Sequence, residues 1–385
     1  MSPVLARSDR FVGWRSRAMR EDPASPLSER SSRRSARRSL RTDKWLRVLS
    51  AGDSCLEIPA WPVTWCFVEA KQDGRRVTGG EGKDAGQDQD PIKDLITTFY
   101  ELNGSTIEEL GEEPSPLEFM RYVARNTPFV VRGGARDWVA TRTWNPTVLE
   151  QEMGGQEVNI AVTPMGDADS PTLDDEGNVV FVKPWEEDQE FSEFLRYVIR
   201  QEKEGTEATK GEEIRYAQTQ NDNLRNEYAT LFSHVQKSIP FARIALQKEP
   251  EAINLWIGNS RSVTALHKDN YENVYVQVLG RKHFVLMPGL CQPCVGERGL
   301  RPATYARSGG NRRRGKGEGN QGERERELVM EYDGDGHEDG EGGRVPFATW
   351  DPDRPEESAT RYSELARPMR VTLEPGDMMY LPAMW

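Results

Sequence analysis

Histidine is scarce in this chain: four in 385 residues, at His234, His267, His283 and His337. Any histidine metal site must therefore be drawn from a very short set. Cysteine is equally scarce, with Cys55, Cys66, Cys291 and Cys294. Four in so long a chain exclude a disulfide framework and predict a reducing compartment, cytoplasmic or nuclear. No run of 18 apolar residues occurs, so no helical membrane span is expected. The N-terminus has no apolar signal core, and Asp9, Glu21, Asp22 and Glu29 argue against an organelle transit peptide despite the local Arg and Ser. A P-loop, a GxSxG elbow and a GxGxxG in strand–helix context are also missing, which removes the common nucleotide-binding and serine-hydrolase readings.

What is present is charge, glycine and proline. Charged residues make up 30% against 36% hydrophobic, with 34 Gly and 24 Pro, a composition that predicts long stretches outside any core. Residues 1–47 carry a net +8, which leaves −20 of the overall −12 to the remainder. An acidic globular part disfavours DNA or RNA as partner, because phosphate contacts need a basic surface. Residues 1–90 show no sustained periodicity and read as a disordered basic, then Gly-rich, region. Order is expected over 91–385. Residues 296–343, with GGNRRRGKGEGNQGERERE and DGDGHEDGEGG, read as a low-complexity insertion within that domain. The acidic run Trp185–Glu190 reads as a solvated segment, and Cys291/Cys294 as two loop cysteines. Trp138, Trp144 and Trp256 read as core.

The elements predicted from periodicity are helices at Lys93–Asn103, Pro116–Val123 and 189–203, then short strands. The fold class is mainly β with flanking α-helices, a double-stranded β-helix of the jelly-roll or cupin kind. One segment carries chemistry, TALHKDNYENVYVQVLGRKHF. His267 and Asp269 stand one residue apart in a β context, and imidazole plus carboxylate is the donor pair of non-haem Fe(II) sites that keep open positions. In Asn273–Leu279 the valines share one face, and Asn273, Tyr275 and Gln277 the other. Gly280-Arg281 predicts a hairpin turn returning Lys282 alongside that strand. A lysine in such a strand suits an acidic co-substrate, with Thr264 and one or more of Tyr275 and Tyr216 as hydroxyl donors.

Together with PGDMMYLPAMW and the upstream Tyr216-Ala-Gln-Thr-Gln-Asn-Asp-Asn-Leu224, this segment resembles the JmjC hydroxylases, and within them the JmjC domain-containing protein 7 group. The resemblance implies Fe(II), 2-oxoglutarate and O2 as cofactors and co-substrates. It implies His267 and Asp269 as iron ligands, Thr264 and Lys282 on the distal carboxylate of 2-oxoglutarate, Tyr275 and Asn273 around it, and Tyr216 at the pocket. It further implies C-hydroxylation of a lysyl side chain in a GTPase-type protein substrate, for which the acidic balance is suitable. N-methyl-lysine demethylation and non-catalytic cupin-like binding are the alternatives. A homodimer is allowed.

In that family a second iron-binding histidine follows PGDxLYLPxxW. Here Trp385 is the last residue, so the expectation is a jelly-roll incomplete at its C-terminus, with weak iron binding and little or no turnover. His234, His283 and His337 are expected to be poor replacements: one on an upstream helix, one on the face opposite Lys282, one in the insertion.

Overall fold

The structure is a computed structural model that describes residues 90–220, 222–308, 327–334 and 343–385. The basic arm and Gly-rich linker predicted over 1–90 lie outside the described residues, apart from Asp90.

The domain opens with capped helices. Asp90 accepts from the amides of Ile92 and Lys93 to start α1 (Pro91–Asn103). Ser115 and Glu118 form a reciprocal capping box that starts α2 (Pro116–Arg125). Between them lies β1 (Glu108–Leu110), and after α2 comes β2 (Phe129–Val131). Two short helices, α3 (Val139–Thr143) and α4 (Pro146–Met153), lead to β3 (Glu157–Thr163) and then to β4 (Asp167–Ala168), β5 (Ser170–Leu173), β6 (Val179–Lys183) and β7 (Trp185–Glu190). Helix α5 (Phe191–Ala208) precedes β8 (Ile214–Tyr216), and α6 (Pro240–Leu246) follows. The distal part holds β9 (Val263–Thr264), β10 (Asn273–Val276), β11 (Lys282–Leu286), β12 (Arg298–Arg307), β13 (Leu328–Tyr332), β14 (Val345–Phe347), β15 (Met369–Leu373) and β16 (Met378–Leu381).

The strands form a mainly β jelly-roll whose sheets, among the described residues, do not close into a barrel. One sheet runs β1-β2-β16-β10. Alternation along its strands sends successive side chains to opposite faces. Phe129, Val131, Met378, Tyr380, Val274 and Val276 meet Phe119 of α2 and Phe241 of α6 on one side. Val130, Met379 and Tyr275 meet Phe284, Met369, Val371 and Leu373 of the β11-β15 pair on the other.

This arrangement corrects the predicted hairpin. β10 pairs with β16 and β11 with β15, so Gly280-Arg281 is a crossing between two facing sheets rather than a turn within one. Gly280 does adopt the left-handed conformation a tight turn needs, φ +68°. The local signal was sound, and the long-range pairing overrode it.

Three other expectations change, the first two for one reason. Residues 185–190 form β7, paired along β3, with Glu187 and Gln189 buried. The span 296–343 also contains the ten-residue strand β12, which pairs with β6, β13 and β14. One ion cluster explains both: Arg307 of β12 binds Glu213 at 2.6 Å and Glu187 of β7 at 3.3 Å, with both side chains of the latter pair nearly inaccessible. Cys291 and Cys294 are not loop cysteines either. They are buried in a 3-10 turn under α1, where Tyr100 Oη lies 3.0 Å from Cys291 Sγ.

Candidate active site

Three segments converge on Lys282, those that carry Tyr216, Trp256 and Tyr275. The first is the end of β8. Ala217 exchanges two backbone hydrogen bonds with Ile257, at 2.9 and 3.0 Å, which lays Tyr216 against Trp256–Gly258. The approach is close: a Cβ on Gly258 would stand 2.7 Å from the Tyr216 ring, so glycine is what lets the ring lie there. The buried Asn223 fixes the same junction. Its amide donates to the carbonyls of Thr219 and Leu255, and its oxygen accepts from the Leu255 amide at 2.7 Å. The asparagine in the Tyr216–Leu224 motif is therefore a clamp that holds the loop beside Trp256.

Lys282 opens β11 and reaches across the space between the sheets. Its Nζ donates to Tyr216 Oη at 2.9 Å. The same ammonium lies 5.4 Å from the Tyr216 ring centre, 5.8 Å from Trp256 and 5.9 Å from Tyr275. Tyr275 packs on Trp256 at 5.9 Å and on Phe284 at 5.0 Å, and burial pushes its phenol well above the ordinary range. The lysine is thus a half-buried cation in an aromatic box, with no carboxylate bound to it among the described residues. An anion with a flat apolar stem is the ligand such a box complements.

Trp256 is the residue that sequence reasoning missed. It was expected in the core, yet it forms one wall of the lysine box, and its indole Nε1–H is buried without an acceptor among the described residues. The missing signal was positional: Trp256 lies 26 residues before Lys282, and only the Ala217–Ile257 bridge brings the two together.

His267 and Asp269 sit on the segment after β9. The His267 Nδ1–H donates to the Ala265 carbonyl at 2.8 Å. A carbonyl can only accept, so in the neutral ring Nδ1 carries the proton and Nε2 keeps its lone pair. That Nε2 stands 3.5 Å from Asp269 Oδ2. Two donors on adjacent positions of a metal, with bonds near ~2.1 Å, lie roughly 3 Å apart, so the spacing suits one shared ion. The Asp269 carboxylate raises the imidazole above the ordinary histidine range, and the imidazole lowers the carboxyl in return. Both side chains are open to solvent, 46% and 58% exposed. Among the described residues no group of three His, Cys, Asp or Glu is placed to hold a metal.

The remaining expected residues are more loosely placed. Asn273 begins β10 opposite Leu381, and Thr264 ends β9 opposite Ala168. Neither side chain is hydrogen-bonded to another described residue. Lys282, Tyr216 and Tyr275 are gathered into one box, and His267 and Asp269 into one pair. His283 points away from Lys282, its Nδ1 2.8 Å from Thr372 Oγ1, and His234 accepts from Trp144 Nε1 at 3.0 Å.

Residues 114–385 match the family described as a cupin-like domain. The human bifunctional peptidase and (3S)-lysyl hydroxylase JMJD7 is 32% identical over 277 residues, 72% of this chain and 77% of the relative. The Arabidopsis thaliana lysine-specific demethylase JMJ32 is 31% identical, over 76% and 80%. The Dictyostelium discoideum JmjC domain-containing protein E is 30% identical, over 71% and 75%. With its jelly-roll, its imidazole–carboxylate pair and its boxed lysine, the chain belongs to the cupin-like JmjC oxygenase family.

Proposed function

We propose that this protein is an Fe(II)- and 2-oxoglutarate-dependent protein hydroxylase that acts on a lysyl side chain. The observation that carries the reading is the Lys282 box: a cation held by Tyr216, walled by Trp256 and Tyr275, beside a buried indole N–H with no acceptor. The orphaned donor and the uncompensated ammonium are the groups a distal carboxylate would satisfy. His267 and Asp269 would supply two donors to the iron, and the donor types fit it.

When bound, iron and 2-oxoglutarate supply the oxidising chemistry: one atom of O2 enters a substrate C–H bond and the other leaves in succinate as CO2 is lost. The chain's own residues bind and orient. Lys282 anchors the co-substrate by charge, Tyr216 shares that anchor, and the Trp256 and Tyr275 rings exclude water from its stem. The Ala265 carbonyl keeps the His267 proton on Nδ1, so that Nε2 remains a donor. Thr264 and Asn273 are assigned to the co-substrate and its surroundings. Substrate lysine is the reading favoured by the two relatives whose names specify it.

Incubation with Fe(II), 2-oxoglutarate and lysyl peptides, followed by mass spectrometry, tests this. Imidazole is added in parallel, because it offers a nitrogen donor beyond the described pair. With imidazole the expected product is a peptide heavier by one oxygen atom on lysine, absent with His267→Ala. Loss of a methyl from a methylated lysine would favour the demethylase reading, and no mass change under either condition would overturn both.

A further inference from the structure

One more side chain is placed at the site by backbone register. β4 runs parallel to β9, with Asp167 opposite Val263 and Ala168 opposite Thr264. The next residue, Asp169, therefore stands beside the segment leading to His267. Gly166 enforces this register. It has φ +92°, and a Cβ there would lie 2.0 Å from the Arg261 carbonyl oxygen, while its own carbonyl accepts from the Val263 amide at 2.8 Å. Asp169 is itself left-handed, φ +53°, a conformation that Asp and Asn tolerate better than other side chains.

The carboxylate of Asp169 accepts from Gln218 Nε2 at 3.3 Å. Gln218 lies two residues beyond Tyr216, so this bond ties the end of β4 to the segment that carries the Lys282 box. Desolvation and the negative charge of Glu186 raise the Asp169 carboxyl above the ordinary range, against the opposing pull of Lys183, the Gln218 hydrogen bond and His267. Lys183 is already bound to Asp333 at 2.7 Å, and Glu186 adds negative charge. Asp169 is exposed and, among the described residues, hydrogen-bonds to no cation. A carboxylate fixed by backbone beside the segment that leads to the metal-type pair, and held by an amide rather than a base, has the chemistry to receive an ammonium.

Resting on the hydroxylase reading above, we propose that Asp169 is the specificity residue that receives the ε-ammonium of the substrate lysyl side chain. Gln218 is the positioning residue that orients its carboxylate. A lysyl ammonium lies several methylenes from the carbons that can be oxidised, so its acceptor belongs beside the metal pair and not on it. The β4–β9 register places Asp169 in such a position.

The test uses the protein loaded with Mn(II) and 2-oxoglutarate and immobilised. Two degenerate peptide pools are passed over it, one with a fixed central lysine and one with norleucine in its place. The wild type is expected to retain the lysine pool about fivefold better, the scale of a solvent-accessible charge pair. Asp169→Asn is expected to retain both pools equally, because Asn keeps the left-handed backbone and an acceptor for Gln218 but removes the charge. An undiminished lysine preference in Asp169→Asn overturns the proposal, and so does a wild type that prefers neither pool. Failure of the hydroxylase reading shows separately, as an absence of 2-oxoglutarate uptake by the wild type before any peptide is added.

Discussion

At the scale of the residue, Lys282 carries the anion chemistry, and its neighbours decide how well. Lys282→Ala removes a charge-assisted contact from a half-buried box, so 2-oxoglutarate affinity is expected to fall about 100-fold in calorimetric titration. The adjacent His283 faces the other way and bonds Thr372. His283→Ala is accordingly expected to leave that affinity within about twofold. Trp256→Phe keeps an aromatic wall and deletes the orphaned N–H, so a smaller loss, about fivefold, is expected by the same titration. The sequence exposed Lys282, Tyr216 and Tyr275 because polar or charged residues inside alternating apolar strands stand out. Trp256 was hidden because an indole in an apolar segment looks like any core tryptophan, and its polar edge matters only once the loop is folded over.

At the scale of the element, glycines without side chains set the distances. Gly258→Ala would push a methyl into the Tyr216 ring. It is expected to lower 2-oxoglutarate affinity about tenfold while circular dichroism remains that of the wild type. Two elements escaped the sequence reading for a shared reason. β7 reads as solvated because of its acidic residues, and β12 lies next to an Arg/Gly-rich stretch, yet Arg307 and Glu187 bury each other. Neither strand is apolar enough to be recognised alone, since each supplies the counter-charge that makes the other buriable. Arg307→Met leaves Glu187 and Glu213 without that partner and is expected to cost about 3–5 kcal/mol in urea unfolding. The β10–β11 misreading has a different origin. A two-residue Gly-Arg link fits a hairpin locally, and only the pairing of β10 with β16 and of β11 with β15 separates the two strands into facing sheets.

At the scale of the whole molecule, the architecture was legible and its interior order was not. Capped helices followed by short alternating strands specified a helix-flanked jelly-roll, because Pro116, Ser115 and Glu118 mark a helix start and the 369–381 strands alternate cleanly. What short strands cannot encode is which of many partners each will take. That choice is made by packing, in which Phe119 joins Phe129, Phe241 and Tyr380 in edge-on or tilted contacts under the main sheet. The outcome for function is that Lys282 of the β11-β15 pair meets Tyr275 of the facing sheet, while the Ala217–Ile257 bridge lays Tyr216 and Trp256 around the same ammonium. The measurement that tests this most directly is calorimetric titration of 2-oxoglutarate into the Mn(II)-loaded protein, comparing wild type, Lys282→Ala and His283→Ala. Saturable binding by the wild type and His283→Ala that is lost in Lys282→Ala is the predicted result, and equal binding by wild type and Lys282→Ala would contradict it.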